Sequence, residues 1–203
     1  MEGSSAVRDR LIDAAIHELE QNGIQAFSLR RVAQACGVSC AAPYKHFKDR
    51  QALLEAVAEA LNRDWFARQA DAVRSLEGNA GAQLRVICRE YLQFLCDTPH
   101  FCALITQRDE ATGKWHLSHL FDQSSLTKKL ISQFAAEHRM TDQEVYANVC
   151  AIRAVLYGAA MMNQHDDMRL DASAVEVLYR MIDSQLFTYE YSGCPRQPGG
   201  DVV

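Results

Sequence analysis

Between Met1 and Cys194 the chain contains only two prolines, Pro43 and Pro99. A sandwich, a barrel or an alternating α/β chain reverses direction many times, and proline- and glycine-rich turns make those reversals, so this chain lacks their punctuation. Its 28 Ala and 19 Leu outnumber the 27 Val, Ile and Thr taken together, an excess of side chains that lose little freedom in a helix. An all-α fold follows. With 203 residues, 48% of them apolar and 23% charged, the chain has the material for a genuine core and reads as soluble and globular.

Periodicity places the helices. Leu11, Ala15 and Leu19 beside Ile12 and Ile16 predict a helix from about Ser5 to Asn22, stopped by Asn22-Gly23. Ser28 is the expected N-cap of a short helix, Leu29 to Cys36, whose apolar face holds Cys36, and Gly37 supplies the positive φ of a tight turn. Ser39 is expected to cap the next helix, with Pro43 near its first turn. Asp49 caps a long helix to about Ser75, and Gly78 and Gly81 bracket a loop. Further helices are expected up to Asp97, from Thr98-Pro99 to about Arg108, and from His116 to His138. Thr141 and Glu144 form a capping box for the penultimate helix, and Asp171 caps the last. Residues 192–203 read as a disordered tail.

The amino-terminal residues carry no apolar stretch, and the longest apolar run, Ala154 to Met162, is about half a bilayer span. No membrane association is expected. Seven cysteines without a CxxC pair argue against a disulfide framework and for a reducing, cytoplasmic setting.

The net charge of -5 hides a local reversal: Arg30, Arg31, Lys45, Lys48 and Arg50 face one acid, Asp49, within residues 28–50, a net +4 that leaves -9 for the rest. Two short helices joined at Gly37 and carrying that charge meet the requirements of a helix-turn-helix reader of duplex DNA. Ser39, Cys40, Ala41 and Ala42 are small enough for close backbone approach to base edges, and Lys45 is the longest base reader. Tyr44 and Arg50 are candidate phosphate contacts, with Ser28, Arg30, Arg31, His46 and Lys48 completing the candidate DNA-binding set.

The run from Ser28 to Phe47, with its turn glycine, G-V-S step and Y-x-H-F, followed by Arg50, Ala52, Leu53 and Leu54, resembles the helix-turn-helix of the tetracycline-repressor (TetR) family. The likeness covers about residues 6–60. It implies about nine helices: a DNA-binding domain over 1–49, and an effector-binding and dimerisation domain over 50–191. It also implies a homodimer on a pseudo-palindromic double-stranded operator, and a repressor released by a small-molecule effector. In that resemblance Tyr44 and Arg50 match phosphate contacts, Arg50 standing for the usual lysine, and residues 39–46 match the recognition helix. Cys40 and Ala41-Ala42-Pro43 depart from the commoner glycine-threonine-leucine form, so the operator sequence does not carry over. The last two helices resemble the family's dimerisation pair.

Independently, Ala147, Ala151, Ala154 and Gly158 form a small-residue stripe that permits close helix approach, and Val175, Leu178 and Ile182 lie in register on the last helix. Trp65, Phe66, Tyr91, Phe94, Phe101, Trp115, Met161 and Met162 are candidates for an apolar effector pocket, although core packing explains most of them equally well. Two variants of the regulator stay open: a redox switch at Cys40, and a metal sensor using His100, Cys102, His116, His119 and His138, whose spacing lacks a closed ligand set. No metal and no cofactor is expected. No paired Glu-x-x-His, G-x-S-x-G, phosphate-binding glycine loop or H-E-x-x-H supports an enzyme.

Overall fold

The computed structural model describes residues 2–76, 78–105, 125–164 and 171–190. These form eight α-helices and no strand: α1 Glu2–Asn22, α2 Leu29–Ala35, α3 Arg50–Val73, α4 Ala80–Asp97, α5 Pro99–Ile105, α6 Ser125–Glu137, α7 Asp142–Gln164 and α8 Ala172–Glu190. A single 3₁₀ turn, Pro43–Lys45, lies between α2 and α3. The described residues group into two compact units. The first holds 2–69 and 94–105; the second holds 70–76, 78–93, 125–164 and 171–190.

Helix ends follow local chemistry. Asp49 caps α3 through its Oδ1, which accepts from Ala52 N at 2.9 Å, and Asp171 caps α8 in the same way from Ala174 N at 2.8 Å. The capping box of α7 is reciprocal: Thr141 N donates to Glu144 Oε2 at 2.8 Å, and Glu144 N donates to Thr141 Oγ1 at 3.3 Å. Each bond satisfies a donor that has no partner inside the helix.

Three features differ from the sequence expectation. Gly81 lies inside α4 and is buried, because Asn79 caps that helix by accepting from Ala82 N at 2.8 Å. Thr98 does not use its hydroxyl as a forward cap for α5; the hydroxyl donates back to the Phe94 carbonyl and closes α4. The expected recognition helix over 39–46 contracts to the 3₁₀ turn Pro43–Lys45. Pro43 has no N–H to send to the Ser39 carbonyl, which accepts from Ala42 N instead at 2.9 Å, so i→i+3 bonds replace the α pattern. The helix expected from His116 is described only from Ser125; 116–124, the tail 192–203, Trp115 and His119 lie outside the described residues.

In the first unit α1 packs against α2, burying Leu11, Ala15 and Leu19 with Val32 and Ala33, and Phe27, Phe47, Leu53, Leu54 and Val57 are buried in the same unit. Trp65, Phe94 and Phe101 stack in series, with ring centroids 5.6 and 5.2 Å apart. In the second unit α7 packs against α8, and the buried side chains include Leu84, Ile87, Phe134, Leu156 and Ile182. Arg85 and Arg89 of α4 both reach Asp183 of α8, at 3.5 and 3.7 Å. By length and composition alone, Asp142–Asn163 is apolar enough to cross a membrane, more than the apolar run Ala154–Met162 suggests, since only a few charged residues precede that run.

Candidate nucleic-acid interface

The basic segment is built from the end of α1 outward. Ser28 is extended at φ -132°, and its hydroxyl accepts from Arg31 N at 3.5 Å, which starts α2. Gly37 ends that helix with φ 67°; its N–H reaches the Gln34 carbonyl while Val38 N reaches the Ala33 carbonyl, both at 3.0 Å. This pair of bonds is a Schellman motif, and it needs a residue free to adopt positive φ. The chain therefore reverses at Gly37 with no polar backbone group wasted.

Residues 39–48 then divide by burial. Pro43 and Phe47 turn inward and are buried, whereas Ser39, Cys40, Ala41, Tyr44, Lys45 and Lys48 are exposed. Ala42 and His46 are half-buried. Tyr44 is 59% exposed, the one large apolar side chain outside α7 and α8 that the described residues leave so open. A rigid aromatic arm bearing a hydroxyl, flanked by two cations on a turn pinned from beneath, suits contact with a polyanion.

Two arginines of the candidate set are differently placed. Arg31 pairs with Glu18: its Nε donates to Glu18 Oε1 at 2.8 Å, and its Nη2 reaches both Glu18 Oε1 and the Ala26 carbonyl. Arg50 donates through Nη2 to the Ile24 carbonyl, and its guanidinium lies 5.5 Å from the centre of the Phe27 ring. Both fasten the α1–α2 connection. Arg8 was missed by sequence reasoning; its guanidinium lies 5.3 Å from the Phe47 ring centre, at the edge of the exposed turn. Only the contact of a residue near the chain start with one 39 positions later reveals it.

The thiols separate as well. Cys40 is exposed, while Cys36 is buried with its Sγ donating to the Arg10 carbonyl at 3.2 Å, and burial pushes its thiol up. Cys88 is pushed up to about 12 by burial, with the Asp183 carboxylate adding to the effect. No group of three or more His, Cys, Asp or Glu side chains that would hold a metal ion occurs among the described residues.

The remaining candidates are redistributed. Trp65, Phe94 and Phe101 are buried in their own stack, Phe66 is half-buried, and Tyr91 shares a hydrogen bond of 2.9 Å with the Tyr157 hydroxyl. Met161 and Met162 are each 43% exposed. Ile182, placed at the dimer face by register, is 2% exposed and packs inside the protomer. Ala147 and Ala154 are exposed; Ala151, Gly158, Val175 and Leu178 are half-buried.

Residues 11–57 match the bacterial regulatory proteins of the tetR family. The similarity to that family lies in the amino-terminal part of the chain. The chain is 41% identical over 54 residues to the class C tetracycline repressor protein of Escherichia coli, an overlap of 27% of this chain and 25% of the repressor. Against the HTH-type transcriptional regulator BetI of Paraburkholderia phytofirmans it is 30% identical over 80 residues, 39% of this chain and 41% of that protein. The chain thus spans between a quarter and two fifths of the length of the curated relatives it matches.

Fold similarity runs further. A Rhodococcus sp. RHA1 protein of unknown function superposes with TM-score 0.73 at 27% identity, covering 90% of this chain and 95% of that one. The transcriptional regulator FadR of Bacillus subtilis, solved in complex with stearoyl-CoA, gives TM-score 0.71 at 12% identity over 87% of this chain and 96% of its own, which speaks for the fold alone. The similarity of the all-helical fold therefore extends past the segment that sequence similarity reaches.

Proposed function

We propose that the protein is a sequence-specific DNA-binding transcriptional regulator, a repressor that leaves its operator when a small molecule binds the carboxy-terminal helices. The carrying observation is the exposed set Tyr44, Lys45 and Lys48 on a turn held from below by Pro43 and Phe47. In this reading residues 1–49 meet the duplex, and 50–191 bind effector and build the dimer. Arg30, Lys45 and Lys48 supply phosphate and base contacts, Tyr44 orients on a phosphate, and Ser39, Cys40, Ala41 and Ala42 allow close approach to the major groove. His46, half-buried, and Ser28, committed to capping, act from behind.

The partner for the carboxy-terminal face is a second copy of the chain. Tyr146, Met161 and Met162 of α7 and Val177 and Met181 of α8 are between 43% and 72% exposed, beside the small side chains Ala147 and Ala154. Apolar exposure on two helices that already pack on each other supports a four-helix bundle between protomers, and it accounts for the membrane-like composition of α7 in a cytoplasmic regulator. Twofold symmetry then sets the two DNA-binding turns one helical repeat apart, roughly 34 to 36 Å. The effector of this reading is a small molecule, and the fold neighbour FadR of Bacillus subtilis was itself solved in complex with stearoyl-CoA. An effector that discriminates ~10-fold between the bound and released forms contributes about 1.4 kcal/mol of coupling.

Selection of duplexes from a random pool tests the reading. Recovery of a pseudo-palindromic sequence that outcompetes unrelated DNA is the expected result. Equal affinity for every duplex and for heparin at moderate ionic strength would sink it.

A further inference from the structure

Among the described residues three polar side chains are buried, Glu18, Asn62 and Gln69, and of these Glu18 alone carries charge. A carboxylate is costly to bury, so its partners matter. Glu18 Oε1 accepts from Ser28 N at 3.2 Å and from Arg31, and Oε2 accepts from Asn22 Nδ2 at 3.1 Å. Arg31 in turn donates to the Ala26 carbonyl. One side chain of α1 thus gathers the end of α1, the intervening loop and the first turn of α2.

Resting on the reading of residues 28–48 as a duplex reader, we propose that Glu18 is the positioning residue of that reader. Its carboxylate, shared by the Ser28 N–H and the Arg31 guanidinium, holds α2 in place, and Arg31 serves this latch and not the DNA. Tyr44, Lys45 and Lys48 follow α2 through the Gly37 reversal, so a shift of α2 is passed on to the exposed set. Arg31 stays 47% exposed and counts as a free cation by composition, yet a phosphate approaching it meets the Glu18 charge on the other side of the same guanidinium. The lowered Glu18 pKa, caused first by the Arg31 hydrogen bond against the opposing effect of burial, agrees with a pair that stays formed at neutral pH. The guanidinium serves two acceptors from two nitrogens, Nε and Nη2, held in one rigid plane, a spacing that the single nitrogen of an ammonium does not offer.

The test measures full-length wild type, Glu18→Gln, Arg31→Gln, Arg31→Lys and the Glu18→Gln/Arg31→Gln double variant against a duplex recovered by selection, between about 50 and 200 mM salt. The latch predicts that each single variant binds about tenfold more weakly, about 1.4 kcal/mol. It predicts an unchanged salt slope, and a double variant no worse than either single one. Arg31→Lys failing to rescue is the result that stability alone does not produce, provided helical content and thermal unfolding show the variant folded at the assay temperature. If Glu18→Gln does not fold, the two Arg31 variants carry the test.

The opposite pattern overturns the proposal. Arg31→Lys near wild type while Arg31→Gln lowers the salt slope by about 0.9, or Glu18→Gln binding more tightly with a steeper slope, assigns Arg31 to a phosphate. Unchanged affinity in all variants also overturns it. Wild type that prefers no duplex removes the DNA reading and this inference with it, whereas wild-type binding with additive losses removes the inference alone.

Discussion

The amino-terminal turn and the α7–α8 pair both expose what a folded chain ordinarily hides or neutralises, but they do so with opposite chemistry. Around Tyr44 the exposed groups are cations on a short, proline-tightened turn; along α7 and α8 they are methionine, valine and tyrosine on long helices. In the proposed reading the first surface meets a polyanion with an affinity that falls with salt, while the second meets another apolar face with little dependence on salt. Both surfaces lean on one neighbouring packing contact, α1 with α2 in one unit and α7 with α8 in the other. The lesson is that a partner's class is written in the exposed chemistry, once the fold has decided which residues are exposed.

The strongest way to break this comparison is to charge the apolar face. Met161→Arg with Met181→Arg, both at exposed positions, should yield a folded monomer by sedimentation and lower operator affinity at least about 100-fold, since two linked half-site contacts become separate ones. A charged variant that stays dimeric would move the interface elsewhere. Next in size, Lys45→Ala should weaken binding about tenfold and relax sequence preference, as loss of a base contact does. Lys48→Ala should weaken all sequences alike and lower the salt slope by about 0.9, the signature of one phosphate. Titration of the operator complex against salt separates the two lysines.

Acid sharpens the amino-terminal half alone. Glu18 is held below its ordinary value of 4.5, so its folded form is the better acid, and the stability it contributes is full above that value and fades as pH falls through the folded pKa. Thermal unfolding should therefore show wild type above Glu18→Gln at pH 7, with the gap closing below about pH 4. A gap that persists in acid would mean that Glu18 acts by packing.

The smallest effect compares two helix ends. Gly37 after α2 and Arg139 after α6 close the same Schellman pattern, the second with Met140 N on the Ala135 carbonyl at 2.9 Å, yet Arg139 holds φ 53°. A side chain in that region costs free energy that glycine avoids, so Arg139→Gly should raise stability by about 0.5–1 kcal/mol without altering DNA binding. Denaturant unfolding measures it, and a loss of stability would show that the arginine side chain compensates.

Local signals read well in advance because they act within a few residues. The Ser28 and Asp49 caps, the Thr141–Glu144 box and the Gly37 reversal each need only neighbours along the chain, and each is found where its sequence places it. The basic segment was legible as a position but not as a conformation: Pro43 withholds one N–H locally, but which of its neighbours are buried and which face outward is set by the fold. Arg31, Arg50 and Arg8 were legible as charge but not as partners. Their acceptors and rings lie from 5 to 39 positions away in sequence.

What the amino acids alone determined, then, is the helical class, the caps and breaks, and the location of the basic stretch, because backbone propensity and periodic burial are short-range effects. Only the tertiary structure decided which cations are committed to holding the reader together and which face outward, and which apolar residues of α7 and α8 remain uncovered. Ion pairing and burial depend on distance in space, and two residues distant along a chain acquire that distance only when the fold brings them together.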